Sequence, residues 1–476
     1  MVLLSPIDFS STEFELYVLL AVFVLVLFFW VWLFIRSLHS HMNTPIIRNS
    51  LNILENKKLS FNQPFVSVIV PARNEEDNIE KCLLSILVQE YPNFEVVVVD
   101  DNSEDRTLEI MKDICSKQEF NKKLKVISLS AKPDDWMGKT WASQQGYMNS
   151  HGDILLFTDA DSLFESKYTI ELTVRQMLSD KLDTLTGVPY LPVIDFWSKV
   201  VMPVWNLYSE IFGRGIADVN NPESKVAFVM GSFFMIKRVV FEAIDTYRSV
   251  KDEIQEDTAI GTLLKRSQYR IKMFKVDSLV SALWSRDISS LWHGIRRSVA
   301  PAVIEDKPAI ISHQLILVAM IALPFFLLPY NAVMLYGMSS NDLLPSTISA
   351  VPNIILTHPH VSSIAPQQHH IGNSILNHQV ALNAANNEES YLASTLLWFD
   401  LSLCLLVMAA TGIKGVMKYR LVPLYSVLCF IGGLFLIASY TYSTLPLLTG
   451  FSMKPIKWRG RPHHVPSRYN EKNKMI

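Results

Sequence analysis

Two stretches decide the fold of this chain: VVDDNSEDR, from Val98 to Arg106, and FTDAD, from Phe157 to Asp161. In each of them, acidic residues follow directly after a short apolar run, EVVVV in the first and ILLF in the second. Such runs are typical of buried parallel strands, and open α/β sheets bind ligands at the carboxyl ends of these strands. Paired carboxylates at that edge suit a nucleotide and a divalent metal ion.

The segment from residue 60 to 310 alternates strand-like and helix-like patterns. Polar, helix-competent stretches separate four strand candidates, which are VSVIV (66–70), EVVVV (95–99), KVISL (125–129) and ILLFT (154–158). This βαβα order predicts an α/β fold with a doubly wound, mostly parallel sheet.

The overall composition indicates a soluble body joined to a few membrane spans. The chain has 476 residues, a net charge of −2 and 49% hydrophobic residues. A charge this close to neutral argues against a nucleic-acid partner. The four cysteines (Cys82, Cys115, Cys404 and Cys429) have no metal-ligand spacing, so we expect them to be reduced and unbridged, as in a cytosolic domain.

Leu16 to Ile35 is a continuous apolar run of about 20 residues, which is long enough to span a bilayer. Acidic residues precede this run and basic residues follow it, which predicts an external N-terminus and a cytosolic domain. No basic residue precedes the run and no small-residue cleavage site follows it, so we expect a retained anchor.

Three more apolar stretches follow the α/β region, namely Leu315 to Met338, Leu392 to Ala410, and Leu421 to about Leu448. The polar, histidine-containing segment 339–390 is expected to be a disordered or loosely ordered loop outside the membrane, in preference to a metal site. Three crossings would place the C-terminus outside, whereas the basic tail favours the cytosol, so the last stretch either crosses the membrane or re-enters. The expected parts are therefore an anchor (1–40), a cytosolic domain (41–310), a C-terminal transmembrane region (311–450) and a basic tail (451–476).

The stretch VSVIVPARNEEDNIEKCLLSILVQEYPNFEVVVVDDNSEDRT (66–107) resembles the opening of a family 2 glycosyltransferase of the GT-A fold. DAD (159–161) is similar to the DxD of that family, and Glu256-Asp257 is similar to its later acidic motif; the resemblance covers about residues 64 to 300. Three further segments resemble the membrane-anchored branch with carotenoid- and hopanoid-associated enzymes and, more distantly, ceramide glucosyltransferases: KPDDWMGKTWA (132–142), GSFFMIKR (231–238) and WRGR (458–461).

The resemblance implies a nucleotide-sugar donor, with UDP-sugars as the first candidates. It places Pro71, Ala72, Arg73 and Glu75 along the uridine. It also implies that Asp101 accepts the imide N–H of uracil, with Asp100 in the same pocket. The alternative from the residues alone is that Asp100 and Asp101 only cap the following helix.

The DAD segment is the candidate metal site. Asp159 and Asp161 flank a small residue, so on an extended segment their side chains point the same way, and their oxygens suit Mg²⁺ or Mn²⁺. The resemblance implies that Asp161 ligates the metal most directly and that Asp159 contacts ribose or metal-bound water. Lys139 follows Gly138 and suits a phosphate or ribose contact, although an exposed structural lysine is the alternative.

Asp257 is the candidate catalytic base, because an inverting displacement needs one carboxylate near the acceptor hydroxyl. Glu256 is expected to orient the loop or a neighbouring helix, and a solvated acidic pair is the alternative for both residues. In LWHGIRRS (291–298), many relatives carry Gln-x-x-Arg-Trp, whereas this chain lacks the Gln and the Trp, which weakens a processive polymer-forming interpretation. Arg296 and Arg297 are candidates for holding the diphosphate, or else for resting on anionic lipid headgroups.

The acceptor side is expected to lie near the membrane. Residues 191–215 and 288–305 suit interfacial helices; the first pattern is interrupted by Pro203, and its alternative is plain domain core. Asp400, inside an apolar stretch, lines an acceptor cavity or lies at a helix–helix contact.

Taken with the resemblance, the sequence predicts a multi-pass plasma-membrane enzyme that transfers a sugar to a lipid, with inversion and with a divalent metal. A polysaccharide synthase is the enzymatic alternative. A non-catalytic membrane scaffold with the same fold is the alternative of another class.

Overall fold

The structure is a computed structural model, and it describes residues 11–47, 63–211, 215–305, 307–341, 365–449, 456–458 and 461–463. The chain divides into two compact units. One consists of Met1–Trp32 with Ile316–Ala409, and the other of Leu33–Leu315 with Ala410–Ile476.

The second unit contains all of the described strands. In chain order they are β1 Val66–Ala72, β2 Phe94–Asp100, β3 Leu124–Ser128, β4 Ile154–Phe157, β5 Ser162–Phe164, β6 Thr184–Val188, β7 Phe234–Lys237, β8 Ile271–Lys275, β9 Val280–Ala282, β10 Ile456–Trp458 and β11 Arg461–His463. The four strands predicted from the sequence correspond to β1 to β4, with ends that differ by at most two residues.

The helices alternate with these strands and then continue into the apolar regions. They are α1 Ser11–Met42, α2 Ile79–Leu87, α3 Thr107–Ser116, α4 Gly138–Met148, α5 Thr169–Ser179, α6 Phe196–Ile211, α7 Ile216–Asn220, α8 Arg238–Ala243, α9 Glu256–Arg266, α10 Ile288–Glu305, α11 Lys307–Leu317, α12 Leu323–Asn341, α13 Ala365–Tyr419 and α14 Cys429–Thr449. Short 3₁₀ segments occupy Thr246–Val250 and Pro423–Leu428, and a π-helical turn (Val318–Ala322) joins α11 to α12.

Seven strands form the central sheet in the order β3-β2-β1-β4-β7-β6-β8. The pairs β3/β2, β2/β1, β1/β4 and β6/β8 are parallel, whereas β7 runs antiparallel to both β4 and β6. Two antiparallel two-stranded sheets, β5/β9 and β10/β11, complete the strand pairing of the described residues. The predicted α/β class and mostly parallel sheet are therefore confirmed.

Alternation along β1 shows why its sequence is almost wholly apolar. Val66, Val68 and Val70 pack into a core with α2, α3 and α5, whereas Ile69 packs on the opposite face with α8 and α9. Both faces of the strand are covered, so neither face tolerates exposed polar side chains. Each fully buried valine or isoleucine side chain stabilises the fold by about 1.5–3 kcal/mol relative to an exposed one.

Four described helical segments are long and apolar enough to cross a membrane: Tyr17–Ser40, Ile311–Gly337, Ser390–Tyr419 and Pro423–Leu445. They coincide with the four apolar stretches of the sequence, which confirms the prediction of such helices at both ends of the chain. The four cysteines are free, as expected.

The polar segment 339–390 differs from the expected loop. It is helical as far as Asn341 and again from Ala365, where α13 begins and continues for 55 residues. Pro366 lies in the first turn, where proline is tolerated, and no other proline occurs before Pro423, so nothing interrupts the helix. The disordered-loop expectation is therefore wrong for residues 365–390, and residues 342–364 lie outside the described part.

Two other expectations are resolved by helix geometry. Helix α6 continues through Pro203, so the interruption in the pattern does not divide it. Within the first unit, Asn331 Nδ2 donates to Asp400 Oδ2 at 3.2 Å, and both side chains are buried. Asp400 thus lies at a contact between α12 and α13.

Of the basic tail, only the hairpin β10/β11 is described.

Candidate active site

The predicted motifs meet at one edge of the central sheet. Strands β2, β1 and β4 are adjacent and parallel, so the loops after their carboxyl ends lie side by side. Strand β7 is antiparallel, and its residue Phe234 pairs with Phe157 of β4, which brings the amino end of β7 to the same edge. The GSFF segment therefore lies beside the DAD segment.

Arg73 ties the loop after β1 to the loop after β2. Its side chain is 3% exposed and donates to the carbonyl oxygens of Asp101, at 2.7 Å, and Asn102, while Nη2 lies 2.8 Å from Glu104 Oε1. Pro71 and Arg73 line a large cavity, whereas Ala72 is buried in the core. Arg73 therefore positions the second loop.

Two asparagines allow the sharp turns in these loops. Asn74 and Asn102 have φ values of 52° and 54°, in the left-handed region that asparagine tolerates better than most residues. The turns interlock, because the Asn74 N–H donates to Ser103 Oγ at 3.0 Å and the Glu104 N–H donates to Asn74 Oδ1 at 2.9 Å.

Asp100 and Asp101 are fully buried, and neither belongs to the cavity lining. The Asp100 carboxylate accepts the Ser103 N–H at 3.3 Å, which stabilises the turn after β2. The Asp101 N–H donates to the Ala72 carbonyl at 2.9 Å, which extends the contact between the two loops. Asp100 thus has a local turn-stabilising contact, and the predicted base contact of Asp101 stays a prediction.

Lys139 joins the two acidic motifs that line the cavity. Its Nζ lies 2.7 Å from Asp159 Oδ1 and 3.1 Å from Glu256 Oε1. Burial alone would lower the pKa of Lys139, but attraction to these two carboxylates outweighs burial and raises that pKa above its ordinary value. The lysine is therefore a permanent positive charge between the DAD segment and α9.

Gly231, just before β7, leaves the space that the Lys139 ammonium occupies. A Cβ atom at position 231 would lie 2.7 Å from Lys139 Nζ, which is closer than van der Waals contact. The glycine in the GSFF segment thus has a steric explanation, which the sequence did not reveal.

Asp161 and Asp257 also line the cavity. Glu256 and Asp257 are the first two residues of α9, where the helix dipole favours negative charge. Burial, followed by the charge of Glu256, raises the pKa of Asp257 to about 6. A carboxylate with this pKa is deprotonated at neutral pH and is more basic than an ordinary aspartate.

Arg286 is a cavity residue that the sequence interpretation missed. Its Nη2 lies 3.0 Å from Glu75 Oε2, and its Nη1 lies 2.6 Å from Asp77 Oδ2, so it holds the loop that follows β1. Glu75 lines the cavity with its carboxylate already paired. Arg286 follows β9, far from Glu75 in the chain and outside every recognised motif, so no local pattern pointed to it.

The two predicted arginines of α10 face different surroundings. Arg297 lines the cavity, whereas the Arg296 guanidinium lies 4.6 Å from the ring centroid of Tyr442. The structure therefore brings Arg297, and not Arg296, into the cavity with the acidic residues.

The cavity has a volume of about 1050 Å³ and lies within the second unit. One part of its lining holds the acidic residues Glu75, Asp159, Asp161, Glu256 and Asp257. Another part consists of side chains from α6 and from the last two turns of α13, including Trp205, Glu210, Ile413, Lys414, Met417 and Lys418. The candidate reactive groups and the end of a membrane-length helix thus share one cavity.

The carboxylates of the DAD segment form only part of a ligand set for Mg²⁺ or Mn²⁺. Asp159 and Asp161 both face the cavity, but the described residues contain no group of three or more His, Cys, Asp or Glu side chains able to hold a metal. Magnesium is commonly held by one or two carboxylates together with substrate phosphates and water, so this pair suits a metal that arrives with a phosphate-bearing ligand.

The similarity to known proteins covers the part of the chain that contains the strands of the central sheet up to β7. Residues 67–245 match the model described as glycosyl transferase family 2. The chain is 23% identical over 246 residues to the 4,4'-diaponeurosporenoate glycosyltransferase of Staphylococcus haemolyticus, covering 52% of this chain and 64% of that protein. It is 28% identical over 213 residues to the probable glycosyltransferase YdaM of Bacillus subtilis, covering 44% of this chain and 49% of that protein. The chain therefore spans less than two thirds of the length of either relative.

Among solved structures, a similar one is the mannosyltransferase PcManGT from Pyrobaculum calidifontis in complex with GDP-Man and Mn²⁺. It has a TM-score of 0.41 and 17% identity, and the match covers 84% of this chain and 99% of that chain. The family match and the two sequence relatives confirm the resemblance found in the sequence.

Proposed function

We propose that this chain, whose residues 67–245 match the model of glycosyl transferase family 2, is a membrane-anchored enzyme that transfers a sugar from a nucleotide donor to a lipid. The main observation in support is that Asp159, Asp161 and Asp257 line the same cavity as the end of α13. This helix includes a segment with the length and composition of a membrane span. A lipid entering along that helix would present its polar end to the carboxylates.

In the proposed reaction, the acceptor hydroxyl oxygen attacks the anomeric carbon of the donor sugar. The bond from that carbon to the phosphate oxygen breaks on the opposite face, and the nucleoside diphosphate leaves with the bonding electrons. Asp257 takes the hydroxyl proton, and its raised pKa makes it a suitable base near neutral pH. Attack opposite the leaving group inverts the anomeric centre.

Donor binding is assigned to the strand-end loops. Pro71 and Arg73 line the cavity beside Glu75, and Arg297 provides a guanidinium suited to a diphosphate. Asp159 and Asp161 would hold Mg²⁺ or Mn²⁺, which when bound neutralises charge on the diphosphate. Lys139 keeps Asp159 in place through its ion pair and balances part of the acidic charge.

We place the catalytic domain in the cytosol at the plasma membrane. The apolar segment Tyr17–Ser40 is followed by Arg48, Lys57 and Lys58 in the sequence, and basic residues flank the cytosolic ends of membrane spans.

The test uses the full chain in detergent with Mg²⁺ or Mn²⁺, labelled UDP- and GDP-sugars, and a total lipid extract. The expected result is label in discrete, low-mass lipid species, and loss of that label with chelator or in Asp257→Asn. Asp113→Asn, a change on the exposed surface of α3, is the matched control and should keep the activity.

Other outcomes separate the alternatives. Label that grows into a high-mass polymer resistant to lipases would identify a polysaccharide synthase. Absence of transfer from every donor, with normal folding of the wild type, would favour a non-catalytic scaffold.

A further inference from the structure

A group of lysines lines the cavity on the side formed by β8 and α13. Lys275 ends β8, and Lys414 and Lys418 lie one turn apart near the end of α13. These three side chains, together with Glu210 and Asp277, are called the lysine cluster below.

The carboxylates of the lysine cluster are already engaged. Lys414 Nζ lies 2.5 Å from Glu210 Oε1, and Lys275 Nζ lies 3.2 Å from Asp277 Oδ2. Three ammonium groups against two carboxylates leave one positive charge in excess. The residue without an ion-pair partner among the described residues is Lys418, on which the charges of Lys414, Glu210 and Lys275 act.

The backbone on either side of Lys418 is tied to neighbouring elements. The Lys414–Glu210 pair joins α13 to α6, and the Tyr190 hydroxyl donates to the Tyr419 carbonyl at 3.4 Å. Strand β8 is fixed on its other side, because the Lys275 N–H donates to the Pro45 carbonyl at 2.8 Å. An ammonium that is partly buried without a counter-charge is costly, and a bound anion would relieve that cost.

Lys275 of the lysine cluster lies apart from the DAD segment in the central sheet. Strand β8 is three positions from β4 in the sheet, which corresponds to roughly 14 Å at about 4.8 Å per strand. An anion held beside Lys275 therefore lies away from the DAD segment that follows β4.

We propose that Lys414 and Lys418 form a subsite for an anionic phosphate or carboxylate group of the lipid acceptor, separate from its reacting hydroxyl. That the bound lipid is the sugar acceptor rests on the proposed function, whereas the anion subsite itself is inferred from the lysine cluster. The acceptor class is thus an acidic lipid, and the ammonium groups bind its headgroup at the end of α13.

Binding without any donor tests this proposal independently of sugar transfer. The full chain in detergent is titrated with fluorescent phosphatidic acid and with fluorescent diacylglycerol of the same acyl chains. The wild type should bind the phosphate lipid at least about tenfold more tightly, as expected for hydrogen bonds to a charged group. Lys418→Gln should lose most of this preference, and Lys418→Arg should keep it.

Arg420→Gln is the matched control. Arg420 follows α13 directly and carries the same charge, but it lies over the Tyr190 ring at 4.5 Å and does not line the cavity. Its replacement should leave the lipid preference unchanged. An equal loss in Arg420→Gln and Lys418→Gln would indicate only general surface attraction and would overturn the proposal.

Competition separates the possible sources of the anion. Inorganic phosphate that binds as tightly as the lipid would mark a free-phosphate site and overturn the lipid assignment. Displacement of the lipid by UDP would place the lysines in the donor site, with the same consequence. Equal affinity of the wild type for phosphatidic acid and diacylglycerol would show that the lysines do not bind the phosphate and would overturn the proposal. Retained lipid preference in a protein that transfers no sugar would uphold the subsite and reject the proposed function.

Discussion

Two parts of the cavity balance their charges differently: the acidic part, around Asp159, Glu256 and Glu75, and the lysine part, which is the lysine cluster. In the acidic part, Lys139 lies between Asp159 and Glu256, and Arg286 lies between Glu75 and Asp77. In the lysine part, Lys414 is paired but Lys418 has no ion-pair partner among the described residues. The contrast is the one expected if the acidic part carries out the proposed chemistry and the lysine part binds the proposed anion.

The largest expected effect separates the two parts by kinetics. Asp257→Asn should lower kcat by roughly 10²–10⁴-fold, because it removes the base that we propose for the acceptor proton. Lys418→Gln should instead raise the acceptor KM by about tenfold with little change in kcat. Steady-state transfer rates at varied lipid concentration measure both quantities.

A similar loss of kcat in Asp257→Asn and Lys418→Gln would contradict the assignment of chemistry to the acidic part and of binding to the lysine part. Lys418→Arg serves as the charge-preserving control, and donor affinity measured separately should be unchanged in Lys418→Gln.

The second expected effect is a pH dependence that belongs to the acidic part. Since burial raises the pKa of Asp257 to about 6, its base form is lost as the pH falls through that value. The rate constant kcat/KM should therefore fall about tenfold for each pH unit below 6 and level off above it. A pH profile between about 5 and 8 checks this, and a flat profile would reject Asp257 as the base.

A third effect contrasts two glycines. Gly231→Ala should displace the Lys139 ammonium, whose flexible side chain can move, and should lower activity by up to about tenfold with little change in Tm. Gly261→Ala should instead destabilise the fold by about 1–3 kcal/mol, because its Cβ would lie 2.4 Å from the Phe228 backbone.

Thermal unfolding and transfer assays on both glycine variants distinguish these outcomes. Equal activity in Gly231→Ala and wild type would show that the Lys139 bridge is dispensable.

The smallest expected effect concerns the two arginines of α10. Arg297→Gln should raise the donor KM several-fold, because Arg297 lines the cavity. Arg296→Gln should leave that KM unchanged and should cost only about 0.5–2 kcal/mol of stability through the lost contact with Tyr442. Equal effects of the two changes on donor KM would contradict the assignment.

Much of the acidic part was predictable from local sequence. Buried parallel strands are apolar on both faces, so VSVIV and EVVVV marked β1 and β2. The acids after ILLF marked the edge of the sheet where the cavity lies, whereas Asp100 and Asp101 after EVVVV are buried outside the cavity lining. Residues 288–305 were predicted as a helix with the bounds of α10. Helix α13 was missed before residue 392 because a polar segment without apolar periodicity gives no local helix signal.

Sequence alone thus determined strands β1 to β4, the apolar helices and the acidic motifs, because each depends on neighbouring residues. Only the tertiary structure decided which side chains meet. The ion pairs of Lys139, the contact of Arg286 with Glu75, and the ion pair of Lys414 with Glu210 join residues that are distant in the chain. Such contacts depend on strand order and helix packing, and no local pattern records them.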